Sequence, residues 1–330
     1  MLGTAAPGPP NVGSHMIIVC GEALVDLIPG DSPADWRALP GGGAANAAIA
    51  LNRLGARAPL LCRLSRDHFG RMLRAHLEEN GVDLRWAVDA PEQTTLAFVA
   101  FDDSGSAEYT FYAAGTADWQ WSPVELPSQT AGACVHVGTL ATVLEPGASV
   151  LRSWLRARRG QTVVSYDVNV RAVACPDMDA YRENARGWCD VAHVLKASAD
   201  DLALLFPGRD PVEAAQALVE EHGLRLALVT LGGEGAVAVL PGREPLRAAA
   251  PPVDVVDTVG AGDAFIGAYL AELERRGFLE GPAALEEMGP DAASEALVFA
   301  ANAAALACTR AGSSPPGRAE VEAALGKAVS

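Results

Sequence analysis

From residue 134 to residue 240 the chain alternates between short, wholly apolar runs and longer segments with helical periodicity. The runs 134–137, 163–166, 191–195, 226–230 and 236–240 read as strands, and 146–158, 180–189 and 211–221 read as helices. Strands apolar on both sides cannot leave one face in water. The pattern therefore predicts an α/β chain whose mostly parallel central sheet is flanked by helices on both faces. Ligands of such sheets collect beyond the carboxyl ends of the strands. Polar residues gather there in this chain: Asp167, Asn169 and Arg171 after one run, Lys196, Ser198, Asp200 and Asp201 after the next, and Thr230, Gly232, Gly233, Glu234 and Gly235 after a third.

The N-terminal part is less regular. Residues 16–20 read as a buried strand, followed by Gly21-Glu22-Ala23-Leu24-Val25-Asp26. Asp26, a few positions past the strand, suits bidentate acceptance of two sugar hydroxyls or is an exposed loop aspartate. Gly41, Gly42 and Gly43 then feed a small-residue helix over 47–54, with Asn46 in its first turn. No Gly-Lys-Ser/Thr follows, so this is not a Walker loop, and a phosphate-free polyol fits it better than a nucleotide. Residues 60–64 read as a strand, and 65–70 cap an amphipathic helix over 71–79 that ends at Asn80-Gly81. His68 and His76 fall on its solvent side, without the neighbours a metal site requires. From Thr94 the pattern becomes period-two: 94–101, a turn at 102–105, and 108–112 predict an antiparallel hairpin. With the stretch holding Trp36 it forms a small β lid, made of about 24–39 and 94–116, over a pocket. Its aromatic residues are read as packing the lid's underside or a subunit interface, which admits a homodimer through the lid, rather than as touching substrate.

Near the C-terminal end, Asp257-Thr258-Val259-Gly260-Ala261-Gly262-Asp263 runs straight into the apolar segment 264–273. Two glycines around Ala261 let successive N–H groups point one way at a helix start, which makes a cradle for an anion. A carboxylate at position 263 repels a phosphate. It is suited instead to take the proton of a hydroxyl attacking that phosphate. Locally, an ordinary N-cap with Asp263 complementing the helix dipole reads equally well.

With 41 acidic and 25 basic residues the formal net charge is −16, spread along the chain, which argues against nucleic acid or an anionic membrane as partner. Six cysteines lie scattered without a CxxC pair, most of them in apolar runs, as expected of reduced thiols in a cytoplasmic protein. The apolar stretch 296–308 is interrupted by Asn302 and is too short to span a membrane. Residues 1–15, ending in Gly13-Ser14-His15 before Met16, read as an expression-tag remnant, with 16–330 as one α/β domain.

Taken together, Gly21 to Asp26, Gly41-Gly42-Gly43 with Asn46, Asp167-Val168-Asn169-Val170-Arg171, Thr230 to Gly235 and Asp257 to Asp263 stand in one order and at spacings that resemble the ribokinase-like (PfkB-type) carbohydrate kinases, over essentially all of 16–317. Gly21 to Asp26, Leu64 to Gly70, Thr110-Phe111-Tyr112 and Ala117-Asp118 are most similar to the bacterial fructokinase branch. The resemblance implies ATP-dependent phosphorylation of a primary sugar hydroxyl, fructose being the leading substrate. Asp263 would be the base; Gly260, Ala261 and Gly262 the anion hole; Arg171 a cation for the phosphoryl group or a substrate carboxylate. Asp26, Gly42, Gly43, Asn46 and Asn169 would hold the sugar. Lys196, Ser198, Thr230, Gly232, Gly235 and Asn302 would line the nucleotide site. Asp201 would meet Mg2+ through water, and Asp257 and Val259 a monovalent cation, K+.

Two departures bear on the substrate. Ala113 stands where many fructokinases carry an arginine after the Phe-Tyr pair, and His136-Val137-Gly138-Thr139 lacks the glutamate with which ribokinases bind sugar. The first weakens the case for fructose and the second argues against ribose; 2-keto-3-deoxygluconate, ribose or a nucleoside stand as alternatives, as does a non-catalytic sugar-binding protein. Retention of Asp263 with its cradle speaks against the last.

Overall fold

Eight strands form the central sheet of the protein, in a computed structural model that describes residues 16–30, 32, 34–101, 107–130 and 133–328. The 1–15 stretch and the 102–105 turn lie outside these residues. In chain order the strands are β1 (Ile17–Cys20), β2 (Leu24–Pro29), β3 (Trp36–Gly41), β4 (Leu60–Leu61), β5 (Arg63–Ser65), β6 (Val88–Ala90), β7 (Leu96–Phe101), β8 (Ala107–Tyr112), β9 (Cys134–Gly138), β10 (Val163–Asp167), β11 (Val194–Ser198), β12 (Leu226–Thr230), β13 (Ala236–Val239) and β14 (Leu246–Ala248). The helices are α1 (Gly43–Arg53), α2 (His68–Glu79), α3 (Gly147–Arg156), α4 (Met178–Cys189), α5 (Ala199–Leu205), α6 (Pro211–His222), α7 (Ala261–Arg275), α8 (Pro282–Glu286), α9 (Pro290–Cys308) and α10 (Arg318–Ala328).

The central order is β14-β13-β12-β11-β10-β9-β1-β4, parallel from β4 to β12, with β13 antiparallel to both its neighbours. Strand residues alternate between two cores. Ile17, Val19, Cys134, Val163, Val194 and Leu226 pack under α1, α2, α7 and α9. Ile18, Cys20, Val135, Val164, Leu195 and Ala227 pack under α3 to α6. From β1 the chain steps outward to β4 through α1, and from β9 the other way to β10 through α3. Strand order reverses between β1 and β9, and the switch leaves a crevice beyond their carboxyl ends.

Strands β3-β2-β7-β8 form a second sheet, the lid. Asp26 lies on it: it pairs with Leu39 and Ala97 inside β2, neither at a central-strand end nor in an exposed loop. The expected strand over 60–64 is two strands, because the chain changes sheets at Cys62: β4 joins β1, whereas β5 pairs with β6. Helix α9 is 19 residues long and apolar enough by composition to cross a membrane. It packs against α7 and α10, with Ala293, Ala296, Leu297 and Ala300 fully buried, as a core helix does.

Candidate active site

The site begins with two helices whose first turns meet. Helix α7 starts from Gly260, whose φ of 76° is left-handed and whose Cβ position would collide with Ser313, so only glycine fits there. Helix α1 starts from Gly42 at φ 107°, where a Cβ would stand 2.7 Å from the carbonyl oxygen of Glu22. Gly267 lets the two helices close on each other, since a Cβ there would lie 2.9 Å from that of Ala50. Consequently Asn46, in the first turn of α1, donates its Nδ2 to Asp263 Oδ2 at 2.9 Å. Asp263 Oδ1 faces the glycine loop: a Cβ on Gly43 would lie 3.6 Å from it. Burial raises the Asp263 pKa above the ordinary carboxylate value, opposed by the Asn46 bond and the charges of Lys196 and Arg171. A carboxylate with one oxygen held and the other free, its basicity raised, is what a general base requires.

The cradle beside it differs in one member from expectation. The Ala261 amide donates to Thr258 O at 3.2 Å, closing the turn, while the amides of Gly260, Gly262 and Asp263 have no backbone acceptor among the described residues. The amides open to an oxyanion are thus those of Gly260, Gly262 and Asp263.

Lys196 stands directly behind this cradle, since a Cβ on Gly262 would lie 3.0 Å from Nζ. Its ammonium pairs with Asp167 Oδ2 at 3.0 Å across the β10–β11 register, both side chains being almost fully buried. Burial pulls the lysine pKa down, but the carboxylates of Asp167, Asp201 and Asp263 together outweigh it, so Lys196 stays charged. Asp167 Oδ1 is buried without a hydrogen-bond partner among the described residues.

A cleft of about 1000 Å³ joins these groups to the lid. On the lid side are Asp26, Gly42, Gly43, Asn169, Arg171, Tyr109 and Phe111; on the other side are Ser198, Thr230, Gly232, Gly235 and Val259. Burial lifts the Asp26 pKa to about 6, opposed by the charge of Arg171. Asn169, at φ 37°, donates to Thr139 Oγ1 at 3.1 Å. Thr139 is a β-branched residue at φ 53°, strain of a kind that gathers at functional sites.

Not every expected residue is placed as foreseen. Asn302 does not line the cleft: its amide turns back to Val298 O at 2.9 Å, and the helix face toward the cleft is Ala301, Ala304, Ala305 and Cys308. Ser198 and Asp201 form the capping box of α5, in which the Asp201 oxygens accept the amides of Ser198 and Val170, each at 2.7 Å. Asp200, exposed on the cleft wall, is the less committed carboxylate. Asp257 accepts the amides of Val259 at 3.0 Å and Gly312 at 2.8 Å, tying the 257–259 loop expected around a monovalent cation to the loop at Gly312. Among the described residues no three His, Cys, Asp or Glu side chains group as a metal site. Tyr109 and Phe111 are lid residues that reach the cleft after all, stacked with centroids 6.0 Å apart, while Trp36, Phe98 and Tyr112 cluster with one another. Glu22 and Thr139, which also line the cleft, had not been singled out for the site. Both follow central strands at the switch point, a signal that was present in the sequence.

Comparison with known proteins agrees with this geometry. The chain is 34% identical over 332 residues to the probable fructokinase-4 of Arabidopsis thaliana, covering 96% of this chain and 98% of that protein. Fructokinase from Vibrio cholerae O395, solved in a fructose-, ADP- and calcium-bound form, superposes with a TM-score of 0.82 at 28% identity, covering 94% of this chain and 98% of that one. Aminoimidazole riboside kinase from Salmonella enterica, solved with aminoimidazole riboside and an ATP analog, gives 0.80 at 27% identity over 93% and 99%. The model of the pfkB family carbohydrate kinases matches residues 14–319, and with that match the chain belongs to this family.

Proposed function

We propose that this kinase transfers the γ-phosphoryl group of ATP to the primary 6-hydroxyl of D-fructose. The observation that carries the reading is the Asp263 carboxylate, fixed by Asn46 on one oxygen and open on the other, at the edge of the Gly260–Gly262 amide cradle. The sugar lies on the lid side, with Asp26 accepting two of its hydroxyls beside Gly42, Gly43, Asn46 and Asn169. ATP lies along Lys196, Ser198, Thr230 and the Gly232–Gly235 turn.

In the transfer step the hydroxyl oxygen bonds to the γ-phosphorus as the bond to the β–γ bridging oxygen breaks, and ADP leaves with that oxygen. The hydroxyl proton passes to Asp263 Oδ1. Amides of the cradle, with Arg171 and Lys196, meet the charge on the transferred group. The lid excludes water, which would otherwise compete as acceptor.

A divalent ion fits this site as a hydrated ion held by the nucleotide's phosphates, because both Asp201 oxygens are already engaged and only their remaining lone pairs, with Asp200, can meet its waters. Bound there, Mg2+ would neutralise phosphate charge. Asp257 and the Val259 loop would flank K+. The outer lid face, where Trp36 and Tyr112 are 43% and 62% exposed, would seat a homodimer. Buried free thiols at Cys20, Cys62, Cys134 and Cys189 suit a cytoplasmic enzyme.

Fructose is favoured over an acidic sugar because the Arg171 charge already acts on the Asp26 and Asp263 carboxylates. The stacked Tyr109 and Phe111 favour a nucleoside as the second reading. ADP formation measured in parallel with fructose, ribose, tagatose, 2-keto-3-deoxygluconate, adenosine and aminoimidazole riboside separates these. Highest kcat/KM with any acceptor other than fructose overturns the assignment.

A further inference from the structure

The chain crosses between the α/β body and the lid four times: at 22–24 into β2, at 41–43 out of β3, at 93–95 into β7 and at 113–117 out of β8. Two buried carboxylates, neither of which the transfer step uses, reach all four. Asp118, 2% exposed, accepts the Ala23 amide at 3.0 Å on Oδ1 and the Thr95 hydroxyl on Oδ2. Thr95 Oγ1 lies in turn 2.6 Å from Thr116 Oγ1, giving a relay from the fourth crossing through the third to Asp118. Glu22, 0% exposed, accepts the Gly43 amide at 3.0 Å and, more loosely, the Ala141 amide at 3.4 Å beyond β9. One crossing is thereby bound to another, and the set is bound to the body at the switch point. Burying two neighbouring carboxylates is unfavourable, as their raised pKa values show: about 7 for Glu22 and about 6 for Asp118, with burial the first cause in each. A fold needing only to fill this space would use apolar side chains.

We propose that Glu22 and Asp118 are positioning residues that set the pose of the lid over the sugar half of the cleft, acting through Gly43, Ala23, Thr95 and Thr116 rather than on the reacting atoms. The proposal rests on the reading of the cleft as a sugar kinase site. Asp118→Asn keeps an acceptor for Ala23 but places an NH2 where the Thr95 proton points; Glu22→Gln keeps an acceptor for Gly43 but turns an NH2 toward the Ala141 amide. Asp118→Asn thus cuts a tether between two lid crossings, and Glu22→Gln cuts the one that binds the crossings to the body at Ala141.

The test measures both variants, and Thr116→Val as a milder cut in the relay, by steady-state kinetics and by amide hydrogen exchange of the ligand-free protein. The expected result is a KM for the sugar raised about tenfold with a smaller fall in kcat, and more than one ADP formed per sugar phosphate as water enters. Exchange should quicken in 24–29 and 96–101 but not in β9, β10 or β11. Wild-type KM and coupling ratio, or exchange that quickens equally in lid and central sheet, overturns the proposal. Should Asp118→Asn not fold, Glu22→Gln and Thr116→Val decide it by the same readings. Should the wild-type protein phosphorylate none of the acceptors, the functional reading fails, while the exchange comparison still tests the tethers.

Discussion

Replacing Asp263 with asparagine isolates the proton transfer from everything else the residue does. The Asn46 amide keeps an acceptor, because the asparagine oxygen can take the place of Oδ2 in the 2.9 Å bond. The other atom then becomes an NH2 that faces the glycine loop and cannot accept a proton. General-base catalysis is worth about 10²–10⁴ in rate, or about 3–5 kcal/mol at 1.36 kcal/mol per tenfold. The cradle amides belong to the backbone and survive the change, so binding of ATP and sugar should alter little. Removing a buried carboxylate whose pKa burial has raised should leave the fold as stable as before. The assay is kcat and KM for both substrates by ADP release, with a thermal melt and a calorimetric sugar titration of each variant. A kcat within tenfold of wild type, or a kcat/KM lost entirely through sugar affinity, refutes the assignment of Asp263 as base. Asp263→Ala gives the control, since it also frees Asn46 and should be no faster than the asparagine variant.

Three further outcomes follow from the same geometry. Gly260→Ala forces a side chain into left-handed backbone at φ 76° and against Ser313; a loss of about 1–2 kcal/mol in unfolding free energy is expected from the backbone alone, with kcat falling as the cradle opens. Gly43→Ala sets a methyl 2.6 Å from Thr139 Oγ1, so the KM for the sugar should rise at least tenfold while the KM for ATP stays within twofold. Asp26 must be ionised to accept two hydroxyls, and its pKa is raised to about 6; kcat/KM for the sugar should therefore fall as pH drops through about 6, and Asp26→Asn should depress kcat/KM at pH 8 while leaving only the part of the acid limb that belongs to the Asp263 base.

The central sheet could be read from the sequence because its signal is local: a strand covered on both faces is an unbroken apolar run. Boundaries inside such runs are not local. Residues 191–195 looked like the strand, but β11 is Val194–Ser198, because residues 191 and 192 finish the turn after α4 and Lys196 must sit opposite Asp167. The orientation of Asn302 is non-local for a related reason: in a helix of alanines the sequence does not fix which face meets the cleft. Helix α5 went unseen because its start, Ser198 to Asp201, was read as a ligand motif when it is also a capping box. The element that carries Asp26 is equally non-local, since the pairing of β2 with β7 joins residues about seventy apart.

How a chain of formal charge −16 handles ATP is answered by where its few positive groups are spent. Lys196 is charged but faces Asp167 at 3.0 Å, so at a distance the pair is nearly neutral and contributes little net attraction for a polyanion. The charge of Arg171 acts on the carboxylates of both Asp26 and Asp263. With both cations facing carboxylates, the peptide dipoles of the cradle, which carry no net charge and are unaffected by the acidity of the rest of the chain, share with Lys196, Arg171 and nucleotide-bound Mg2+ the neutralisation of the moving phosphoryl group in the proposed reaction. Those dipoles can approach only where side chains are missing. Hence the glycines at 260 and 262 mark the proposed catalytic centre of this acidic protein more specifically than any of its lysines or arginines.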